Sequence, residues 1–494
     1  MKAWSAMTVL CLTLVELGGC TPTRVSDRVP LVVPERWHNA PEAQPVSATK
    51  DLSEWWKGFG DPVLNDLIGQ ALAANHDLRL AKARVREAKA ITTVAESALY
   101  PSIDLFSFGG REKRIDRIVG VSGRQGIELI TPTADVITGG LAARWEIDVF
   151  GGRHLEAEAA IAQAAGTEES QRAVQVGLLA QVATNYLELR GIQRRTDILL
   201  ENIEVQRERL RVLQAFYNAG LVNDMDVARQ ETLLHNTMGT LPVLTNTARN
   251  LIHRLSVLLG QTPASLEERL THSMPLPVTL PNIPKLLPSS VLEQRPDLRL
   301  AHTEVSAAAA NLGAARANLL PKFVLSASGG FGALAVGGFP GLAEGVYALG
   351  AGLTAPIFNA GRIKAHITAA DARLDHVAAN YEKTFLLALE DTENAYVAHT
   401  SALERRDQLL RAETAAERSH MHTQAFYQRG AADFLSVLDA QRTKLSTSDE
   451  RTQAETAVRV SLVSIYRAFG GGWSDKVDKT LDGGGDSPPP IAPD

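Results

Sequence analysis

The side chains that most often carry out chemistry are scattered along this chain rather than grouped. Its twelve histidines show no clustering at metal-ligand spacing, and His420 and His422 are expected on a solvated helix face. Glycines crowd the segment GGFGALAVGG (residues 329–338), but a phosphate-binding loop also needs a Lys-Ser/Thr ending and a following helix. We therefore expect an extracellular loop there. Because no nucleophile stands beside a placed base, the sequence predicts that the chain is not an enzyme.

One cysteine does have a chemical context. Residues 1–19 combine Lys2, a short apolar run and small residues, which is typical of an export signal and too short for a spanning helix. The ending LGGC resembles a lipobox, in which the thiol of Cys20 accepts a diacylglycerol. Thr21, rather than Asp, then favours the outer membrane. An ordinary signal with a chance cysteine is the alternative, and Glu16 within the apolar run favours it.

The bulk composition excludes several other classes of protein. Once Cys11 leaves with the signal, a single cysteine remains, so neither an internal disulfide nor a cysteine metal site is possible. Apart from the lipid on Cys20 we expect no cofactor. A net charge of −6 gives no indication of nucleic-acid binding, and 45% hydrophobic residues are too many for a disordered chain.

The chain contains an internal repeat. HDLRLAKARV begins at residue 76 and PDLRLAHTEV at residue 296, and the match continues without a gap to Pro101 and Pro321. A match of this length indicates two copies of one structural unit rather than shared helix composition.

Alternating segments follow both of these prolines. Apolar residues share one parity in each copy, with polar or small residues between them: Leu141, Ala143, Trp145, Ile147 and Val149, then Tyr347, Leu349, Ala351, Leu353, Ala355 and Ile357. A period of two puts apolar side chains on one face of a strand. Segments of about ten residues match tilted strands that cross a bilayer. A soluble hairpin with two different faces remains the alternative.

Long proline-free segments come next in each copy. No proline lies between Pro132 and Pro242, or between Pro356 and Pro488, so very long helices are possible. A helix from Arg153 to Tyr217 would extend about 100 Å. Its heptad positions are mostly apolar, as in a coiled-coil seam: Val182, Leu189, Thr196, Ile203 and Leu210, and Leu178, Asn185, Ile192, Leu199, Gln206 and Leu213.

Both long helices end in similar sequence segments, YNAGLVNDMDV and YQRGAADFLSV. Gly220 and Gly430 stand where a left-handed residue would end a helix, and Asn223 or Asp433 could cap the next one. Each copy thus predicts a long helical hairpin, and the proline-rich link at residues 274–290 leads to the second copy.

Such a chain cannot complete its structure alone. Four strands leave unpaired edges, which are costly in lipid, and the smallest transmembrane barrels have eight strands. A long amphipathic hairpin also has no core of its own to bury against. A ring of several chains would solve both problems.

These features resemble the outer-membrane factors of tripartite efflux pumps, the TolC-like channels, and most closely their lipoprotein branch (NodT/OprM-like). The markers cover nearly the whole chain: Cys20, WWKGFGDPVLNDLI, WEIDVFG, RPDLRLAHTEVSAAAANLGAARANLLP, APIFNAGR, FLSVLDAQR and FGGGW. The resemblance implies an α+β membrane protein in which coiled-coil hairpins form a periplasmic tunnel. Four strands per chain would join a 12-stranded barrel shared by a homotrimer.

The same resemblance implies a division of the chain. Its parts are a signal at 1–19, a lipidated extension at 20–60, a first repeat at 61–287 (strands about 101–150, hairpin about 153–260), a second repeat at 288–473 (strands about 321–358, hairpin about 361–469) and a disordered tail at 474–494.

The implied function is passive conduction of small molecules through the outer membrane. An inner-membrane pump of the RND type would supply the energy, and a periplasmic adaptor would couple it to this duct. No nucleic-acid partner is expected. A channel for type I protein secretion and a pore-free periplasmic scaffold are the alternatives. The lipobox and RPDLRL favour small-molecule efflux, but the sequence identifies neither the cargo nor the cognate pump.

The resemblance also assigns roles at the two turns between hairpin helices. Asp226 falls on a family latch acceptor, Tyr427 on its partner and Asp439 on a constriction aspartate. Three symmetry-related aspartates around a narrow pore would repel one another and attract cations. The alternatives are an N-cap for Asp226 and a solvated heptad position for Asp439.

The match at the turns is incomplete. Ser436 stands where the family has a second aspartate, and Ala432 where it has a latch arginine. Asp433 and Arg429 lie nearby in sequence and could take those places. A helix cap is the alternative role for Asp433.

Overall fold

A computed structural model describes residues 25–40, 52–113, 118–121, 127–130, 133–283, 286–336 and 339–474. The predicted signal, Cys20 and residues 475–494 of the predicted tail lie outside the described residues. The chain divides into two compact units. The first comprises Met1–Val29, Arg86–Gly166 and Ala301–Tyr381, and the second comprises Pro30–Val85, Thr167–Leu300 and Glu382–Asp494.

The elements follow one another as two similar series. A 3-10 helix at Trp55–Phe59 precedes α1 (Pro62–Ala74), α2 (His76–Ser97), β1 (Ser102–Lys113), β2 (Ile118–Val121), β3 (Ile127–Ile130), β4 (Thr133–Ile147), α3 (Gly152–Asn218) and α4 (Asp224–Leu258). The chain continues through α5 (Glu267–Leu270), α6 (Pro288–Gln294), α7 (Pro296–Ala317), β5 (Lys322–Val336), β6 (Phe339–Thr354), α8 (Arg362–Gln428) and α9 (Phe434–Ala468).

The two series have helices of equal length. α2 and α7 have 22 residues each, α3 and α8 have 67, and α4 and α9 have 35. Equal lengths agree with two copies of one structural unit. One difference is Pro242 inside α4, where it removes a backbone N–H from the helix.

The first unit contains an antiparallel sheet in the order β1-β4-β5-β6. The β4–β5 pairing joins the two repeats, since β4 belongs to the first and β5 to the second. β1 and β6 have one partner each and form the edges. The sequence predicted four strands, whereas the structure also pairs β2 with β3 in a separate two-stranded sheet.

The two faces of the four-stranded sheet differ in polarity. Residues directly opposite one another share a face, as do Leu105 and Leu141, and Ala327 and Leu349. We call this the apolar face; its exposed members are Ile103, Leu105, Ile137, Leu141, Trp145, Leu325, Phe331, Tyr347, Leu349 and Leu353. The other face carries two phenylalanines of β1 and a polar set, Asp104, Arg144, Glu146, Lys322, Ser326 and Ser328.

Glycines let β4 and β5 approach closely at one point. Gly140 is opposite Gly330, and a Cβ on Gly330 would lie 2.3 Å from the carbonyl oxygen of Gly139. The predicted loop at residues 329–338 is therefore wrong over most of its length, because β5 continues to Val336. Glycine marks a close approach of two backbones here rather than the end of a strand.

Small residues also pack the helices of the first unit. Leu155 and Ala159 of α3 form a buried cluster with Ala310 and Ala314 of α7. Gly152 permits a further approach, since its Cβ would lie 3.0 Å from Ala317. Alanine and glycine thus allow helix axes to come close without interlocking large side chains.

In the second unit, the helices of the first hairpin pack through larger apolar side chains. Leu199 and Ile203 of α3 meet Leu234 and Leu244 of α4 in a buried cluster. A different contact joins α3 to α9, where a Cβ on Gly191 would lie 2.3 Å from the hydroxyl of Thr456. No helix in the described ranges combines the length and apolar character that a bilayer crossing requires.

Candidate functional site

The two turns between hairpin helices share one geometry. Gly220 has φ 72° and Gly430 has φ 71°, the left-handed conformation that ends a helix. The backbone N–H of Leu221 donates to the carbonyl of Phe216 at 2.9 Å, and that of Ala431 donates to Phe426 at 2.8 Å. The predicted helix ends at both glycines are confirmed.

Asn223 caps α4, and Asp226 lies within its first turn. The Asn223 side chain accepts from the backbone N–H of Asp226 at 2.9 Å. The cap interpretation is therefore wrong for Asp226. Its carboxylate, 20% exposed, instead lies 3.7 Å from the guanidinium of Arg229.

Asp433 caps α9. Its carboxylate accepts from the backbone N–H of Ser436 at 2.8 Å and from the Ser436 hydroxyl at 2.5 Å. These hydrogen bonds lower the pKa of Asp433, and the positive charge of Arg229 lowers it further. Arg229 therefore acts electrostatically on carboxylates of both turns, Asp226 and Asp433.

The two other predicted residues have separate surroundings. The ring of Tyr427 packs against Phe434 with centroids 5.6 Å apart, and no hydrogen bond within the described residues joins its hydroxyl to Asp226. Asp439 is 61% exposed on α9 and lies 3.8 Å from Arg442. Asp226 and Asp433 thus share a cation, while Tyr427 and Asp439 each have neighbours of their own.

The structure places further polar side chains near the turns that the sequence did not indicate as site residues. Arg209 of α3 donates to the side-chain oxygens of Gln441 in α9 and, at 3.5 Å, of Gln424 in α8. Burial lowers the pKa of Arg209. His420 is partly buried beside it, and burial, Arg209 and Lys444 together lower its pKa. The expected solvated face is thus wrong for His420; Arg209 gave no motif signal because it contacts other helices.

Among the described residues, no three His, Cys, Asp or Glu side chains lie close enough to hold a metal ion. The lipidation candidate Cys20 lies outside the described residues.

Known proteins share this arrangement of turns and sheet. The family described as outer membrane efflux protein matches residues 67–261 and 287–471. The chain belongs to the outer membrane efflux protein family. The two matched ranges confirm the internal repeat, and members of this family are outer-membrane channels that extend into the periplasm, not enzymes.

Relatives within the family match along most of their length. The chain is 32% identical over 460 residues to the pyoverdine export outer membrane protein OpmQ of Pseudomonas aeruginosa, covering 92% of this chain and 95% of OpmQ. It is 29% identical to the solvent efflux pump outer membrane protein SrpC of Pseudomonas putida, covering 84% and 87%. The solved outer-membrane channel OprN superimposes with a TM-score of 0.80 at 31% identity, covering 90% and 98%.

Proposed function

We propose that this protein is the outer-membrane exit duct of a tripartite efflux pump and conducts small molecules passively. The observation that carries the proposal is the sheet. Its apolar face leaves Leu105 and Leu349 each 81% exposed, its other face carries charged and hydroxyl side chains beside apolar ones, and β1 and β6 form open edges. A sheet of this kind fits between lipid on one side and water on the other.

Edge pairing between copies would close the sheet. Three chains would contribute twelve main strands, and β1 of one chain would pair with β6 of the next. Closure removes the unpaired backbone groups that lipid cannot satisfy. We propose a homotrimer, with a periplasmic adaptor and an inner-membrane RND-type pump as partners that supply coupling and energy; the match to the outer membrane efflux protein family supports this assembly.

The relatives favour a small cargo over a protein. The names of the two matched relatives refer to the export of pyoverdine and to the efflux of solvent. Because none of these is a protein, we favour small-molecule efflux over type I secretion.

The gate is proposed at the two turns. Asp226, Asp433 and Asp439 would supply negative charge at the periplasmic end, and Tyr427 would contribute a latch contact. Support comes from Arg229, which acts on carboxylates of both turns and would hold them together in a closed state. Arg429, a possible substitute for the latch arginine missing at Ala432, follows the last residue of α8.

Lipid anchoring is proposed at Cys20. The sequence support is the LGGC ending of an export signal, and the structural support is the exposed apolar face of the sheet, which fits a position in a membrane. The anchor would hold the N-terminal extension at the outer membrane alongside the barrel.

The mass of the detergent-extracted protein tests the assembly. Light scattering corrected for detergent should give a trimer, and the trimer should form ion-conducting channels in planar bilayers. A monomer would leave four strands unable to close, and the pore-free scaffold would then be the better function. A trimer without conductance would retain the assembly and reject the duct.

A further inference from the structure

A groove crosses the apolar face near one end of the sheet. It has a volume of about 510 Å³ and is lined mainly by apolar atoms. Its lining includes three alanines and three larger apolar side chains: Ala143, Ala327 and Ala351, and Trp145, Leu325 and Leu349. The groove forms where small side chains stand opposite each other on neighbouring strands, as Ala143 of β4 and Ala327 of β5 do.

The wall of the groove is fixed in place. The indole N–H of Trp145 donates to the carbonyl of Leu99 at 2.9 Å, which sets the orientation of the ring. Trp145 lies two residues before the end of β4, and Leu325 three residues after the start of β5. The groove therefore lies where the strands meet the helices, the level at which tryptophans mark a membrane interface.

The N-terminal segment passes along the helix that leads to this end of the sheet. The carboxylate of Asp27 accepts a hydrogen bond from the Ser306 hydroxyl in α7 at 3.0 Å. From Ser306 to Ala317, where α7 ends, the helix rises about 17 Å. Cys20 precedes Asp27 by seven residues, which extend to about 23 Å. The tether can thus bring Cys20 to the start of β5.

We propose that this groove holds an acyl chain carried by Cys20 of the same chain. The proposal rests on the lipid anchor proposed above. In a bilayer the surrounding lipid is as apolar as the groove, so the preference for the Cys20 chain would come from close packing and from the short tether. The anchor would then be a fixed part of the barrel surface rather than a free lipid.

Photocrosslinking in outer membranes tests the proposal. Full-length protein carrying Leu349→benzoylphenylalanine is irradiated, digested and analysed by mass spectrometry. The matched control is Ile137→benzoylphenylalanine, which is exposed on the same face outside the groove. We expect a crosslink between the β6 peptide and the acylated peptide that begins at Cys20, and none from position 137.

A third variant fills the groove. Adding Ala327→Phe to the Leu349 variant should abolish the crosslink while the trimer and the acylation of Cys20 persist. Crosslinks to free phospholipid alone, with Cys20 acylated, would overturn the groove while keeping the anchor. A Cys20 peptide without acyl chains would overturn both, and its mass in the same digest distinguishes the two failures.

Discussion

Arg195 and Asp449 form a two-point ion pair that joins the first hairpin to the second. The Nε of Arg195 lies 2.6 Å from one oxygen of the Asp449 carboxylate, and its Nη2 lies 3.0 Å from the other. Their side chains are 22% and 33% exposed, so the pair is partly shielded from water. A planar guanidinium matched to a carboxylate fixes the relative rotation of α3 and α9 as well as their separation.

Removing this carboxylate should loosen the contact between hairpins. Asp449→Ala leaves the Arg195 guanidinium without its partner, and we expect a loss of about 1–3 kcal/mol in the free energy of unfolding. Denaturant titration of the detergent-solubilised protein measures the change. Asp407→Ala is the control, because the pair that Asp407 makes among the described residues is with its sequence neighbour Arg406 on the same helix. Equal losses in the two variants would contradict a special role for the Arg195 pair.

Arg229 should stabilise the closed state of the proposed gate. Arg229→Gln leaves Asp226 and Asp433 with uncompensated charge in each chain, so we expect higher cation selectivity and greater resting conductance. The pair of Arg229 with Asp226, whose side chains are 38% and 20% exposed, is worth about 0.2–1 kcal/mol, which corresponds to an increase of up to about fivefold in resting conductance. Single-channel recording in a salt gradient measures both quantities.

The control for this gate prediction is Arg207→Gln. Arg207 pairs with Glu204 on α3 at the same spacing of three residues, and the substitution removes the same charge. An unchanged reversal potential and conductance in Arg229→Gln would show that the shared cation does not hold the turns closed.

Local sequence signals predicted the regular elements of the fold well. The absence of proline indicated helices between Arg153 and Tyr217, and the structure has α3 from Gly152 to Asn218. Gly220 and Gly430 were recognised as helix ends because only a left-handed residue suits that position. The glycines of β5 gave a wrong prediction of a loop. Gly330 is needed because the backbone of the neighbouring strand approaches it at Gly140, which the local sequence does not reveal.

The candidate site was harder to predict from the sequence than the fold, because its contacts join different helices and leave no local sequence pattern. The resemblance indicates Asp226, and Asp433 is a cap candidate close in sequence to a missing family aspartate, but Arg229, which acts on both, belongs to no motif. The same holds for Arg209, whose amide partners come from two other helices. The role of the RPDLRL motif is visible only in the structure. Arg295 is buried and binds Asp297, Asp391 and the carbonyl of Ala468.

A buried histidine should make the stability depend on pH. The Ser461 hydroxyl donates to the carbonyl of Val458, so the Nδ1–H of His399 donates to the Ser461 oxygen at 2.8 Å. Burial, with help from the charge of Arg406, lowers the pKa of His399. The unfolded chain then binds more protons than the folded one, and stability is lost as pH falls below the ordinary value of about 6.5.

His399→Asn tests this dependence. Asparagine retains a donor near the Nδ1 position but does not titrate, so the loss of stability between about pH 7 and 5 should become smaller. Denaturant midpoints at each pH give the comparison. His422→Asn, at an exposed position on the same helix, should keep the full dependence. The same slope in all three proteins would assign the pH effect to other groups.

Two adjacent glycines of β5 should differ sharply in their tolerance of a methyl group. Alanine at position 330 would place its Cβ 2.3 Å from the carbonyl oxygen of Gly139 and 2.6 Å from the Cα of Gly140, which are backbone atoms that cannot rotate away. A Cβ at position 329 meets nothing within 4 Å. We therefore expect Gly330→Ala to reduce the amount of assembled trimer in outer membranes, while Gly329→Ala assembles normally. Heat-modified mobility on gels measures the fraction assembled. Both variants lose the same glycine flexibility and gain the same methyl group, but β4 crowds the new methyl group at position 330 and not at position 329. Equal assembly would mean that the strands have room to part.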